Sequence, residues 1–246
     1  MNRFLRTLPF QLLIAATCAI LVTSPQPAAA EGKTVLLVNM KYRDKVSGAY
    51  KRLDRVVEGL VPGVNVEIVH YEKVTPSLLT RIQPKALILG PQGTPWWEYD
   101  KKKIVRFAKT LQEFKGPVLG ICGGHQYLAI AYGGEVGPIH CPKKRDGYKG
   151  CKGEHGFETV LIRDNDDPLF AGLPISVVMK ESHYEEVKDL PNDFEVIAST
   201  ALSQNQVIKH RSRTLYGVQF HPEIHDGKHP HGKRLLKNFL EMAGLR

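Results

Sequence analysis

Cysteine is scarce in this chain, four residues in 246, and tryptophan scarcer, with two. Those counts exclude a small disulfide-dense scaffold, and the spacing of Cys141 and Cys151 with His140 or His155 matches no common zinc pattern. Neither a phosphate-cradling glycine loop nor a G-x-G-x-x-G dinucleotide fingerprint occurs, so no cofactor is expected. No internal repeat, long linker or low-complexity segment interrupts the sequence. The net charge is +9, but the only tight basic runs, Lys101 to Lys103 and Lys143 to Arg145, lack interleaved aromatics, which argues against nucleic-acid binding. The apolar run Leu12 to Val22 is too short to span a bilayer comfortably.

That run belongs to a distinctive N-terminal stretch. Arg3 and Arg6 precede it, and Pro25-Gln26-Pro27-Ala28-Ala29-Ala30 ends it in a small-x-small pattern. This is the pattern of a secretory signal peptide over residues 1–30, cut after Ala30, with residues 31–246 as a single domain. The residues before Cys18 lack the leucine and small residue of a lipid-attachment site, and the prolines argue against an uncleaved anchor. The expected product is exported, periplasmic or secreted, carries a net charge of +7 and is not integral to the membrane. Three cysteines remain after cleavage, and in an oxidising compartment an odd number leaves one thiol free. Cys141 and Cys151 bracket a short Lys- and Gly-rich segment and form the natural disulfide, leaving Cys122 reduced.

Apolar runs at Lys33 to Asn39, Val64 to Val69 and Ala86 to Leu89 read as buried strands. Helical patterns cover Val46 to Leu60, Pro76 to Ile82 and Tyr99 to Phe114. The alternation predicts an α/β sheet, whose ligand sites lie beyond the carboxyl ends of the strands. After Gly133 to Val136, read as a turn, the stretch Gly137 to Gly153 reads as a stapled surface insertion. Five β-like stretches between Phe157 and Phe220 then predict extra, partly antiparallel strands, and Gly232 to Ala243 predicts a closing amphipathic helix.

At Pro117 to Gln126 an apolar strand runs through Gly120-Ile121-Cys122-Gly123-Gly124 into an apolar helix, the pattern of a nucleophile elbow. A cysteine at a helix N-terminus sits beside unpaired N–H groups and the positive dipole end, which favours the thiolate. The three glycines supply unusual backbone angles and close packing, and the Gly123 N–H points where an oxyanion would form. A buried structural cysteine is the plainer reading, but a buried strand end needs neither these glycines nor Gln126. Gly90-Pro91-Gln92-Gly93-Thr94-Pro95 makes a rigid turn at the same sheet edge, with Gly93 offering a second N–H; Trp96 and Trp97 either wall a pocket or cap the edge.

Cysteine catalysis needs a histidine base held by a third group. Of ten histidines most read as surface residues, but His221 leaves an apolar strand into Pro222-Glu223, so the Glu223 carboxylate can turn back to the ring. His225, His229 and His231 cluster with Asp226 among Gly227, Lys228 and Pro230, which reads as a solvated loop and not a metal site.

Together Gly120-Ile121-Cys122-Gly123-Gly124-His125-Gln126, Gly217-Val218-Gln219-Phe220-His221-Pro222-Glu223, Gly90 to Pro95 and Glu181 to Val187 resemble, in order and spacing, the elbow, histidine, oxyanion and substrate segments of class I (triad) glutamine amidotransferases. The resemblance implies a three-layer, flavodoxin-like α/β fold with a mainly parallel central sheet. It implies a Cys122–His221–Glu223 triad cleaving a glutamine side-chain amide through a γ-glutamyl thioester, with Gly93 and Gly123 as oxyanion hole. Gln126 and the backbone near His183 and Tyr184 would hold the substrate. Tyr184, Glu185 and the cysteine-bearing insertion depart from the family pattern. Family members pass ammonia to a synthase, and this chain has no synthase domain, so an unidentified acceptor or synthase partner is implied. Three readings remain open: a stand-alone hydrolase of glutamine or a related γ-glutamyl compound, a γ-glutamyl peptidase or transferase acting on envelope peptides, and a catalytically silent binding module.

Overall fold

The computed structural model describes residues 32–142 and 148–246; the expected leader (1–30) and the basic run Lys143 to Arg145 lie outside the described residues. Strands and helices alternate through the first half: β1 (Thr34–Asn39), α1 (Gly48–Leu60), β2 (Asn65–His70), α2 (Pro76–Ile82), β3 (Ala86–Leu89), α3 (Lys101–Glu113), β4 (Val118–Ile121) and α4 (Gly123–Ala131). Strands then dominate: β5 (Glu135–Pro138), β6 (Glu154–Ile162), β7 (Ser176–His183), β8 (Glu185–Asp189), β9 (Phe194–Ser199), β10 (Val207–His210) and β11 (Leu215–Val218), before α5 (His231–Met242). Among the described residues no helix is long and apolar enough to cross a membrane.

The apolar runs become strands because both faces of the sheet are covered: β1, β3 and β4 are buried along their whole length. The helices start where the sequence caps them. Thr75 Oγ1 accepts from the Leu78 N–H at 3.2 Å with Pro76 beginning α2, and Asp100 Oδ1 accepts from the Lys102 N–H at 2.8 Å ahead of α3.

Nine strands form one sheet in the order β2-β1-β3-β4-β11-β10-β9-β6-β7. The five from β2 to β11 run parallel and the rest pair antiparallel. Side chains alternate across the sheet into two cores. Leu37, Ile88 and Ile121 pack with Leu53 and Val57 of α1 and Leu235 and Phe239 of α5. Leu36, Leu87 and Val118 pack with Leu79 of α2, Phe107 and Leu111 of α3, and Tyr127 and Leu128 of α4. The result is the expected three-layer α/β fold.

Two expectations change. Glu135 to Pro138, the first two residues of which read as part of a turn, is strand β5 and pairs antiparallel with β8 in a separate ribbon. Neither strand carries an apolar run; in β8 only Glu185 and Val187 are buried, so the pairing is made by tertiary context and not by propensity. Gly137 to Gly153 is also more than a surface insertion. The Ile139 N–H donates to the Tyr184 carbonyl at 2.9 Å, His140 bridges to Lys152, and Cys141 is disulfide-bonded to Cys151, as expected. The pairing of β5 with β8 holds the start of this segment, and the disulfide joins Cys141 to Cys151 beyond it.

The junction of β4 and α4 allows no extra atom at Gly124, where a Cβ would stand 2.1 Å from the Leu89 carbonyl oxygen. Gly124→Ala is expected to destabilise the protein by about 1–3 kcal/mol. In α1, nothing lies within 4 Å of a Cβ at Gly59, and Gly59→Ala is expected to stabilise by about 0.5–1 kcal/mol. Urea midpoints of the two variants, shifted in opposite directions, check both.

Candidate active site

Cys122 leaves β4 and caps α4 with φ 51° and ψ −102°. Among the described residues only Gln83 shares a positive φ without being glycine. The unusual angles thus sit on the cysteine itself, and the flanking glycines serve close approach. At Gly123 a Cβ would stand 2.6 Å from the Gln92 backbone nitrogen, so the elbow and the Gly90 to Pro95 turn are in direct contact. That turn is pinned by Tyr50, whose hydroxyl donates to the Pro91 carbonyl at 3.0 Å and accepts from the Met40 N–H at 2.7 Å.

Parallel pairing places Val218 of β11 beside Ile121 of β4, and the Cys122 N–H donates to the Val218 carbonyl at 2.8 Å. The chain leaving β11 therefore delivers His221 to the same sheet edge. Its ring lines the same cavity as Cys122, and its Nδ1 pairs with Glu223 Oε1 at 2.8 Å. Both His221 and Glu223 are buried. Burial disfavours the imidazolium, but the Glu223 carboxylate and the Cys122 sulfur outweigh it and hold His221 well above the ordinary histidine range. Gln219 Nε2 points at the same sulfur from 3.8 Å. A thiol, a histidine and an orienting carboxylate are thus gathered at one sheet edge, an arrangement suited to nucleophilic attack followed by proton return to a leaving group.

A cavity of about 280 Å³ opens over Cys122, and Gln92, Gly93, Gln126, His183, Tyr184 and His221 are among the residues lining it. These expected residues thus converge, but the Gln126 side chain does so differently from expectation. Gln126 Oε1 accepts from Trp96 Nε1 at 2.7 Å and Gln92 Nε2 at 3.4 Å, while its Nε2 donates to the Glu185 carbonyl at 2.7 Å and Gln219 Oε1 at 3.2 Å. Its amide is committed to protein partners, so it shapes the wall and ties the loops together. His183 turns its ring inward, with Nδ1 3.0 Å from the Glu185 carbonyl and Nε2 3.0 Å from Glu154 and 3.2 Å from Glu181. Acceptors at both nitrogens call for the imidazolium. Burial opposes that charge, but the two carboxylates prevail and raise His183 to about 10.

Sequence reasoning passed over other members of the site. Tyr148, held by the disulfide loop, lines the cavity, donates to Glu185 Oε2 at 2.8 Å and stacks on Tyr184 at 4.9 Å. Trp97 meets Tyr148 edge-on at 6.2 Å, so of the two tryptophans it stands at the mouth, while Trp96 packs behind Gln126 on Tyr99 and Tyr127. Glu154 accepts from Thr200 Oγ1 and Gln206 Nε2, each at 2.6 Å, beneath His183. The histidines read as surface residues divide, and His70, His125 and His210 are buried. Burial pushes His125, packed behind the elbow, down to about 3 and keeps it neutral. In the loop after Glu223, His229 pairs with Asp226 at 3.0 Å and stacks on Phe157, whereas His225 faces the Pro222 carbonyl and His231 accepts from the Val178 N–H.

A family model described as glutamine amidotransferase class-I matches residues 49–243. The chain is 36% identical over 163 residues to the glutamine-hydrolyzing GMP synthase subunit of Pyrococcus furiosus, covering 66% of this chain and 78% of the relative. It is 37% identical over 184 residues to the protein of the same name in Methanocaldococcus jannaschii, covering 75% and 87%. Among solved structures, a candidate GMP synthase subunit from Thermoplasma acidophilum superposes with a TM-score of 0.69 at 27% identity, covering 88% of this chain and 96% of the other. Elbow, strand order and sequence similarity agree, and the chain belongs to the class I glutamine amidotransferase family.

Proposed function

We propose that this chain hydrolyses the side-chain amide of glutamine, or of a related γ-glutamyl compound, through a Cys122–His221–Glu223 triad. The observation that carries the reading is the His221–Glu223 pair, at 2.8 Å, with His221 lining the same cavity as Cys122. The Cys122 sulfur attacks the amide carbon, and the carbonyl electrons move onto an oxyanion received by the N–H groups of Gly93 and Gly123. His221 donates its proton to the amide nitrogen, the C–N bond breaks, and ammonia leaves. Water, deprotonated by His221, then opens the γ-glutamyl thioester to release glutamate and restore the thiol. His183 and Tyr184 border the acyl group, and Gln126 positions the loops around it.

Small-molecule sites usually span about 300–1,000 Å³, so a cavity of about 280 Å³ suits an amino-acid-sized acyl group better than a long peptide. The γ-glutamyl peptidase or transferase reading draws support from the aromatic mouth, where Trp97 and Tyr184 flank Tyr148. Both readings share the thioester. The relatives named above are synthase subunits, and an ammonia acceptor or synthase partner for this chain is part of the proposal. So is export of residues 31–246, to the periplasm or beyond, after removal of the leader.

Ammonia release from glutamine by purified protein tests the function. Wild type is expected to turn over, and Cys122→Ala to lose at least about a thousandfold in kcat; cleavage of γ-glutamyl dipeptides without release from glutamine would favour the peptidase. Glu223→Gln removes the charge that raises His221, so His221 loses its proton at lower pH. The alkaline limb of the kcat/KM profile is therefore expected to move to lower pH, and an unmoved limb would remove Glu223 from the triad. N-terminal sequencing of the exported protein is expected to begin at Glu31; a mature chain retaining Met1 would contradict processing.

A further inference from the structure

The cavity over Cys122 contains a cation that the triad does not use. Lys41 follows β1, and its backbone is fixed on both sides: its N–H donates to Asn39 Oδ1 at 3.1 Å and its carbonyl faces His70 Nε2 at 2.8 Å. Its side chain lines the same cavity as Cys122 and His221, and its Nζ lies 3.5 Å from where a Cβ on Gly93 would stand. The ammonium is therefore beside the oxyanion turn. Among the described residues it forms no ion pair, because the acidic groups nearby are otherwise engaged: Asp44 pairs with Lys73 at 2.6 Å, Glu223 with His221, and Glu185 accepts from Tyr148. Burial lowers the Lys41 pKa, and the Cys122 sulfur acts in the opposite direction. The same side chain lines a shallower groove with Arg43, Lys45 and Thr94, so the positive potential continues out of the cavity.

A partly desolvated ammonium without a carboxylate partner, in a cavity that also holds the nucleophile, is a site for an anion. We propose that Lys41 seats the free α-carboxylate of the γ-glutamyl substrate while Cys122 attacks the amide at the substrate's other end. This inference rests on the hydrolase reading above and names what selects its substrate: a γ-glutamyl compound with an unblocked α-carboxylate. The length of the γ-glutamyl unit separates the two recognised ends, so a substrate is accepted only when both engage, and a simple primary amide is refused.

The test compares glutamine with glutamine whose α-carboxyl group is amidated, reading ammonia from the side chain under the same conditions. Wild type is expected to prefer glutamine, and Lys41→Met to reduce that preference about tenfold or more, chiefly through KM, since a charge-assisted hydrogen bond carries about that much discrimination. Lys41→Arg, which keeps the charge, is expected to retain most of the preference and controls for misfolding. An active wild type whose preference is unchanged in Lys41→Met overturns this inference alone. A wild type silent toward both substrates overturns the hydrolase reading, and this inference with it.

Discussion

The site depends on one strained residue. Cys122 is held at φ 51° and ψ −102°, a backbone state that costs a side-chain-bearing residue about 1–3 kcal/mol. That cost is met by the packing around the elbow: Gly120, Gly123 and Gly124 let α4 sit so close to β3, β4 and the Gly90 to Pro95 turn that a Cβ at any of them would overlap a neighbour. The strain lifts the sulfur from the sheet to the first turn of a helix. The parallel neighbour β11 then brings His221 to the same height, because the Cys122 N–H is bonded to Val218. The meeting of Cys122 and His221 at one sheet edge is thus a consequence of strand order.

Behind the cavity a second constraint operates. Glu185 gives its carbonyl to Gln126 and His183 and its carboxylate to Tyr148, so three segments distant in sequence meet at one residue. His183 is enclosed by Glu154 and Glu181, and Glu154 is further bound by Thr200 and Gln206. A buried polar network of this kind holds one arrangement because breaking any member leaves a charge unpaired in a poorly solvated place. The cavity wall is therefore preorganised from beneath, and the disulfide loop adds Tyr148 from above. Lys41 contributes the one cation of the cavity that this network leaves without a carboxylate among the described residues.

Much of this was legible in the sequence where physics is local. Strands buried on both faces declare themselves as apolar runs, and α2 and β3 lie at the residues their patterns indicate, with Thr75 and Pro76 opening the helix. The elbow and the His221-Pro222-Glu223 exit were readable because their residue types and order carry the chemistry. The ribbon of β5 and β8 was not, since its Glu, Gly and Pro residues form strands only through each other. The enclosure of His183 was missed for a related reason: Glu154 lies on the neighbouring strand β6 and Glu185 around a turn, and only Glu181, two residues back on β7, stands close in sequence. Tyr148 was hidden because the pairing of Cys141 with Cys151 can be read from composition, but the direction in which the closed loop points cannot.

Attack by Cys122 on a γ-glutamyl carbonyl, with His221 lining the same cavity, is open to direct observation. The most direct measurement is covalent trapping with a glutamine-like electrophile such as diazo-oxo-norleucine, followed by peptide mass spectrometry of the reduced, folded protein. The account predicts a single adduct on the peptide carrying Cys122, formed far more slowly in His221→Ala and blocked by excess glutamine. Absence of an adduct in folded protein, or an adduct on any other residue, would contradict it.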